Sequence, residues 1–232
     1  SVGSIRQQFS IEENTQMSMY TAHFLKELQH AYSPDIIDPI EFEESGYLVL
    51  GSESTEAALR ENHHKQIKQN AKVSLLSPEE MQKKFPWLNV TDVAVGSFGY
   101  ENEGWFDPYS MMSWFKAHAV AMGVEYLQAS VSEISLTPTT LPHTLHLARP
   151  THTTLTPPST SSVTAKTIIN AAGCWAGHVS RLAGIENVPI VARKRRVYVF
   201  HCPEAVVREE PGVPMVFDPS GVWVRREGKA DV

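Results

Sequence analysis

The first half of the chain alternates apolar residues at helical spacing with short apolar runs typical of strands. A helix is predicted after Ser10, which forms a Ser-x-x-Glu capping box with Glu13. Its apolar residues recur at steps of three and four, which predicts one buried stripe. They are Met17, Tyr20, Phe24, Leu28 and Ala31. A strand is predicted over residues 46–50, followed by a polar surface helix over residues 53–70.

Two more helices are predicted from their start signals. Ser77 precedes Pro78 and stands three residues before Glu80, the pattern of a helix N-terminus. Asp107 and Pro108 begin the other helix in the same way. That helix is expected to bury a second apolar stripe. Its members are Met111, Phe115, Ala119 and Met122.

The later part of the chain is rich in short β-type runs. Strands are predicted at residues 93–100, 124–127, 131–136, 195–200, 215–218 and 222–225. Residues 137–162 are rich in Thr, Ser and Pro and predict a β-excursion with an exposed tip, and residues 218–221 predict a turn. Strands separated by helices predict an α/β fold, and the paired strands near the end add an antiparallel layer.

Residues 165–176 join a predicted strand to a predicted helix through a bend of small residues. Thr167, Ile168 and Ile169 form the apolar strand, and the bend is Ala171-Ala172-Gly173. A bend with so little side chain allows close approach by another backbone or by a cofactor at the following helix N-terminus. Many such joints carry Ala and Gly only for packing, so both interpretations stay open.

Composition and charge exclude several classes of protein. The formal net charge of −6 gives no global basic field for nucleic acid, so no nucleic-acid partner is expected. No apolar run reaches the roughly 20 residues that a transmembrane helix needs, so no transmembrane segment is expected. Cys174 and Cys202 lack metal-ligand spacing and are expected to be free thiols, and no zinc or other metal site is expected.

Three segments in order along the chain point to a family. They are Ser1–Phe9 with the sequence SVGSIRQQF, Glu103–Pro108 with EGWFDP, and Ile169–Trp175 with INAAGCW. Together they resemble the superfamily of D-amino-acid oxidases, sarcosine oxidases and dimethylglycine dehydrogenases, which are flavoproteins. The resemblance covers nearly the whole chain except the Thr/Pro-rich excursion and the last residues.

The resemblance implies a Rossmann-like FAD-binding domain interleaved with an antiparallel-sheet substrate domain. Residues 1–38 and 93–184 would form the FAD domain, and residues 39–92 and 185–232 the substrate domain. The family's Gly-x-Gly-x-x-Gly turn, which holds the FAD diphosphate, has no counterpart here. The chain begins at Ser1 without Met, and its final strands suggest an unfinished sheet. We therefore expect a piece of a longer protein, which binds FAD weakly or not at all by itself.

The resemblance also implies site residues at the N-terminus. The backbone of Gly3, Ser4 and Ile5 would pass near the flavin ring. Arg6 matches an arginine that binds the substrate carboxylate in sarcosine-oxidase relatives, a task that suits the bidentate guanidinium. The alternative is a surface arginine paired with a neighbouring glutamate, Glu12 or Glu13.

Further implied FAD contacts lie later in the chain. The bend at Ala171, Ala172 and Gly173 would approach the diphosphate side, with Trp175 packed on the bend. Val131 matches a strand residue whose backbone groups meet the adenine, although a valine in a strand needs no such reason. The catalytic residue itself is not identified.

Two segments, Arg193–Pro203 and Trp223–Gly228, narrow the resemblance to a mitochondrial branch associated with assembly of respiratory complex I. This implies a mitochondrial location, a small amine or amino-acid substrate, and complex I subunits or assembly intermediates as partners. Three hypotheses follow: an FAD-dependent enzyme acting on CH–NH donors, a non-catalytic assembly scaffold, or a truncated product. The basic cluster Arg193–Arg196 fits either a solvated strand end or a contact with an acidic partner.

Overall fold

The computed structural model describes residues 3–31, 40–137, 142–148, 160–201 and 213–226. The chain forms two compact units. The larger unit comprises residues 1–122 and 201–232, and the smaller unit comprises residues 123–200. These units differ from the predicted FAD and substrate domains. The assignment of residues to those two domains stays a prediction.

In chain order, the elements of the two units are β1 (Ser4–Ile5), α1 (Glu12–Ala31), β2 (Tyr47–Gly51), α2 (Glu53–Lys68), β3 (Val73–Leu76), α3 (Pro78–Lys84), β4 (Val95–Gly99), β5 (Gly104–Trp105), α4 (Pro108–Ala121), β6 (Ser130–Ser135), β7 (His143–Ala148), β8 (Thr160–Ala165), α5 (Ala176–Leu182), β9 (Met215–Phe217) and β10 (Trp223–Val224). This mixture of helices and sheets confirms the predicted α/β class.

A five-stranded sheet in the order β10-β9-β2-β4-β3 is the framework of the larger unit. The central strand β2 pairs antiparallel with β4 and parallel with β9. One face of the sheet packs against α3, whose Met81 is fully buried among Leu48, Phe85 and Phe98. The predicted capping box of α3 is confirmed, because the Glu80 N–H donates to the Ser77 hydroxyl and the Ser77 N–H donates to the Glu80 carboxylate.

A second core in the larger unit lies between α1, α4 and the short ribbon β1-β5. Its central residues include Leu25, Ile40 and Phe106, and Trp114 of α4 packs against them. The Asp107 carboxylate accepts the Tyr109 N–H at 2.9 Å, which confirms the predicted start of α4. No helix in the described ranges combines the length and the apolar character needed to cross a membrane.

The predicted buried stripe of α1 is confirmed at Leu28, which is buried, and at Phe24, which packs against the core, but it is wrong at two other positions. Met17 is 60% exposed and Tyr20 is 70% exposed, whereas Ala22 and Leu25 are fully buried. The helix begins at Glu12, so Ser10 does not occupy its N-cap position. The small side chains on the true inner face let α1 approach the N-terminal loop, where the Ser18 hydroxyl donates to the Arg6 carbonyl. The buried face therefore runs through Ala22, Leu25 and Leu28, and Met17 and Tyr20 lie outside it.

The predicted stripe of α4 is confirmed at Met111 but is wrong at Phe115 and Met122. Phe115 is 48% exposed and Met122 is 85% exposed, while Met111 and Trp114 pack against the core. A helix of this composition has apolar residues around much of its circumference, so periodicity alone selects a face poorly.

Three antiparallel strands in the order β6-β7-β8 form the sheet of the smaller unit. The β-excursion predicted over residues 137–162 is thus confirmed at β7 and at the start of β8, while its tip lies outside the described residues. A single 3-10 turn over Gly173–Trp175 leads into α5.

Three predicted strands are wrong. Residues 124–127, 167–169 and 195–200 have no regular secondary structure, although their composition favours strands. A strand forms only where a neighbouring segment of backbone accepts and donates its hydrogen bonds. The β-propensity of a segment does not reveal that neighbour. By contrast, β9 and β10 form as predicted, and the Asp218 N–H donates to the Val222 carbonyl across the predicted turn.

Candidate functional site

Backbone hydrogen bonds hold the N-terminal loop of the larger unit, which carries the predicted site residue Arg6, against residues 104–106. Ser4 pairs with Trp105, Ile5 pairs with Gly104, and the Phe106 N–H donates to the Gly3 carbonyl at 2.7 Å. Gly3 has a φ of +63°, and a Cβ there would lie 2.2 Å from the Phe106 carbonyl oxygen. This approach therefore requires glycine at position 3.

Side chains fix the next residues of the loop equally firmly. The Gln7 carbonyl accepts the Thr15 hydroxyl at 3.2 Å, so α1 holds the loop from one side. The Gln8 amide donates to the Ser97 carbonyl at 2.9 Å and to the Tyr47 carbonyl at 3.1 Å, so the sheet holds it from the other. Arg6 therefore extends from a backbone fixed on both sides.

The guanidinium of Arg6 lies over two aromatic rings. Its central carbon is 5.0 Å from the centroid of Phe9 and 5.6 Å from that of Tyr47, within the range of cation–π attraction. Among the described residues, no ion pair joins Arg6 to Glu12 or Glu13. The side chain is half-buried, so its charge is held in place and still reachable.

Tyr47 begins a row of stacked aromatic rings on the sheet. Its ring lies 5.6 Å from Phe217 at an interplanar angle of 15°, and Phe217 lies 6.5 Å from Trp223 at 20°. Since neighbouring residues of a strand point to opposite faces, Tyr47 lies on the face opposite Leu48 and the α3 core. Burial raises the pKa of Tyr47 to about 12, although attraction to Arg6 opposes this, so the hydroxyl stays neutral at physiological pH.

Glu103 is a buried acid beside Arg6 that the sequence interpretation did not select as a site residue. Its side chain is fully inaccessible to solvent, and its Oε1 accepts the Gln7 N–H at 2.8 Å. Burial raises its pKa to about 8, while the Gln7 N–H and the charge of Arg6 oppose the rise. The sequence offered one signal for Glu103, which is an acid directly before the apolar run Gly104–Phe106. That signal is weak because loops commonly carry glutamate.

Asn170 organises the bend predicted to approach FAD in the smaller unit. Its side-chain amide donates to the Ala176 carbonyl at 2.9 Å and to the Ser180 hydroxyl at 3.0 Å, and its carbonyl accepts the Ala172 N–H at 3.2 Å. Gly173 has a φ of +54°, and a Cβ built there would meet nothing within 4 Å. The bend is therefore side-chain-poor, fixed from within and open on its outer side, which fits close approach of a nucleotide.

Strand β6 carries the other predicted FAD contact of the smaller unit. Val131 is half-buried and pairs with Leu147, and within the described residues β6 is an edge strand with one unpaired side. Strand β6 and the residues before the bend line one apolar cavity of about 120 Å³, to which Ile134 and Ile168 contribute. Trp175, which was expected to pack on the bend, is 64% exposed to solvent.

The predicted site residues thus fall into two groups. Gly3, Ser4, Ile5 and Arg6 share one loop of the larger unit. The others lie in the smaller unit; they are Val131, Ala171, Ala172, Gly173 and Trp175. Their roles toward FAD and substrate stay predictions. Within the described residues, no group of three or more His, Cys, Asp or Glu side chains is arranged to hold a metal ion.

Comparisons with known sequences agree with this architecture. Residues 1–230 match the family model DAO, described as FAD dependent oxidoreductase. The chain is 39% identical over 250 residues to FAD-dependent oxidoreductase domain-containing protein 1 of Xenopus laevis, covering 98% of this chain and 49% of that protein. It is 37% identical over 255 residues to the Bos taurus protein of the same name, covering 98% and 50%. The chain therefore spans about half the length of these curated relatives.

Solved structures show the same fold at low sequence identity. L-proline dehydrogenase from P. horikoshii aligns with a TM-score of 0.60 and 23% identity, covering 79% of this chain and 45% of that structure. Glycine oxidase from Geobacillus kaustophilus aligns with a TM-score of 0.58 and 17% identity, covering 79% and 47%. At these identities the likeness establishes the fold alone.

Proposed function

Because the chain belongs to the DAO family of FAD-dependent oxidoreductases, we propose that the complete protein oxidises a small amine or amino acid. The observation that supports this substrate class best is Arg6. Its guanidinium is fixed by its loop, half-buried and free of any ion pair among the described residues. A permanently charged group of this kind binds a carboxylate through two parallel hydrogen bonds.

The aromatic row beside Arg6 supports the same substrate class. Phe217 and Trp223 are half-buried and offer aromatic surface with little charge, whereas Tyr47 is only 4% exposed and Arg6 lies over its ring. Ring faces attract a cationic or methylated amine. A carboxylate at Arg6 and an amine over these rings would hold a small amino acid in one orientation.

FAD is the cofactor of this family. We assign Ala171, Ala172, Gly173 and the backbone of Val131 to its binding, because the bend is open and its side chains are small. When bound, FAD supplies the redox chemistry by accepting a hydride equivalent from the C–H bond next to the amine nitrogen. The contribution of this chain is to bind and orient the substrate, with Arg6 determining where the carboxylate lies.

Steady-state kinetics of the complete protein, loaded with FAD, test this function. The substrates are glycine, L-proline and dimethylglycine, chosen from the names of related and structurally similar proteins. We expect Arg6→Lys to raise KM about 10- to 100-fold, because a bidentate contact is lost. The control is Arg60→Lys, an arginine of α2 that pairs with Glu56 at the surface. A protein that shows no flavin absorbance after FAD reconstitution, or an Arg6→Lys variant with unchanged kinetics, would contradict the proposal.

We also propose a second function, assembly of mitochondrial respiratory complex I. The supporting observation is the run Arg193–Arg196, which is exposed in the smaller unit and complementary to an acidic partner. Cells that lack the protein should accumulate incomplete complex I, and the protein should fractionate with mitochondria. Intact complex I in such cells would rule this function out.

Separate variants distinguish the enzyme from the scaffold. If the protein acts only as a scaffold, Arg6→Lys should rescue complex I assembly as well as the wild type does. Reversing the charges of Arg193, Lys194 and Arg195 should prevent rescue. Reversal of Lys65 and Lys68 on α2 is the control, because these residues lie on a surface helix of the other unit.

A further inference from the structure

Glu103 links the Arg6 loop to the sheet through its carboxyl group, its backbone carbonyl and the two residues that follow it. Its Oε1 accepts the Gln7 N–H at 2.8 Å, one residue beyond Arg6. Its own carbonyl accepts the Gly46 N–H at 3.0 Å, directly before β2. The following residues, Gly104 and Trp105, form the ladder with Ile5 and Ser4. One residue therefore holds both the entrance of β2 and the backbone that carries Arg6.

The space around the Glu103 carboxyl is fitted to it. Gly99 lies opposite, and a Cβ at that position would be 2.0 Å from both the carboxyl carbon and Oε2. Any larger residue at position 99 would displace the carboxyl. Oε2 is buried and has no hydrogen-bond partner in the described part of the chain, and neither has the neighbouring Gln7 Oε1. Such an arrangement costs stability, which points to a role that an apolar side chain could not fill.

We propose that Glu103 is a positioning residue for Arg6: its carboxyl holds the loop backbone on the sheet and, once it has lost its proton, competes with a substrate carboxylate for the guanidinium. This inference rests on the proposed role of Arg6 in carboxylate binding. In addition, it makes the binding of a substrate carboxylate by Arg6 depend on the protonation state of Glu103.

The charges around the carboxyl support this coupling. Arg6 acts on it from the N-terminal loop, and Tyr47 faces it from β2. Because the raised pKa of Tyr47 is about 12, that hydroxyl remains neutral over the range in which Glu103 titrates. With its own pKa raised to about 8, Glu103 is mostly neutral at pH 7 and adds no negative charge near Arg6, whereas at pH 9 its charge attracts Arg6.

Other charged groups nearby are already engaged. Glu44 accepts the Asn102 N–H at 2.7 Å and pairs with Lys26 at 2.9 Å. Arg225, beyond β10, lies 5.4 Å from the ring centroid of Trp105. Glu101 is exposed on the same loop as Glu103 and serves as the matched control carboxylate.

Ligand affinity as a function of pH tests the competition. Dissociation constants of the complete, FAD-loaded protein for L-proline and dimethylglycine are measured by calorimetry from pH 6 to pH 9.5, with pyrrolidine and trimethylamine as ligands without a carboxylate. We expect the affinity of wild type relative to Glu103→Gln at the same pH to fall about 5- to 10-fold between pH 7 and pH 9. Comparison at equal pH cancels the titration of the ligand itself. Glu101→Gln should follow the wild type, and the two amines should bind wild type and Glu103→Gln alike.

Hydrogen exchange of the Gln7 amide tests the positioning role without any ligand. We expect Glu103→Gln to keep this amide protected, because its carbonyl still accepts the N–H, and Glu103→Ala to speed its exchange at least 10-fold. Equal exchange in wild type and Glu103→Ala, or a parallel pH dependence of carboxylate affinity in wild type and Glu103→Gln, would overturn the inference. If instead no carboxylate binds and Arg6→Lys changes nothing, the proposed function fails and the competition fails with it. The exchange result then decides the positioning role alone.

Discussion

Replacing Gly99 with alanine should destabilise the larger unit through the Glu103 carboxyl. Gly99 pairs with Tyr47 on β2 and with Val73 on β3, and its φ is not in the left-handed region. The backbone therefore accepts alanine, and the cost arises only from the added methyl group. That methyl group would lie 2.0 Å from the carboxyl carbon of Glu103, so the carboxyl must move.

The size of the effect follows from what that movement breaks. Displacement of the carboxyl removes the 2.8 Å hydrogen bond from Gln7 and leaves a buried N–H without a partner. An unsatisfied buried donor costs about 1–3 kcal/mol. Inserting a methyl group into a filled core costs about 1–3 kcal/mol more. We therefore expect Gly99→Ala to lower the free energy of unfolding by about 4 kcal/mol, a large part of the roughly 5–15 kcal/mol that stabilises a typical domain.

A double-mutant cycle with Glu103→Ala isolates this mechanism. Urea unfolding is followed by tryptophan fluorescence, to which the buried Trp105 of the same unit contributes. In the Glu103→Ala background Gly99→Ala should cost less than about 1 kcal/mol, which gives a coupling energy of at least about 2 kcal/mol. Gly96→Ala is the control, because a Cβ on that residue of the same strand meets Met81 instead and should show no coupling. Additive effects of Gly99→Ala and Glu103→Ala would refute the steric argument.

Three further predictions concern the pH dependence of stability and the true faces and caps of the helices. Because the folded state keeps the Glu103 proton up to a pKa of about 8, against 4.5 without burial, the stability contributed by Glu103 is fully present below pH 4.5 and is lost as the pH rises to about 8. The loss is of the order of 1.4 kcal/mol per pKa unit; Glu103→Gln should flatten this profile in urea titrations, and parallel profiles would speak against the buried titration. Leu25→Ala should lower the free energy of unfolding by about 2–5 kcal/mol and Met17→Ala by less than about 0.5, because only Leu25 is buried; the opposite order would mean that the helix packs by its other face. Ser77→Ala should cost about 1 kcal/mol in the same assay, since it removes a capping box. Ser52→Ala is its control, because Ser52 makes no capping hydrogen bond on α2, and an equal loss in both variants would count against the cap.

The features that the sequence predicted well depend on residues close together in the chain. The capping box at Ser77 and Glu80 and the helix start at Asp107 both form as predicted, because each needs only a few consecutive backbone groups. The turn at 218–221 and the strand β2 follow from equally local signals. The family resemblance was also readable from the sequence, since its motifs are short and lie in a fixed order.

The features that the sequence missed depend on partners distant in the chain. The inner face of α1 was determined by the loop at Arg6 and Gln7, whose carbonyls accept hydroxyls from small residues of the helix. The apolar run Thr167–Ile169 forms no strand, because strand formation needs a neighbour with free backbone groups.

The sequence by itself therefore determined the local elements, the mixed α/β class and the presence of an arginine in the N-terminal loop. Only the tertiary structure decided that Glu103 holds the backbone next to this arginine, opposite Gly99, in a space closed to solvent. The physical reason is that capping and turn formation are short-range interactions. Burial, and with it the pKa of an acid such as Glu103, depends on which distant segments pack around the residue.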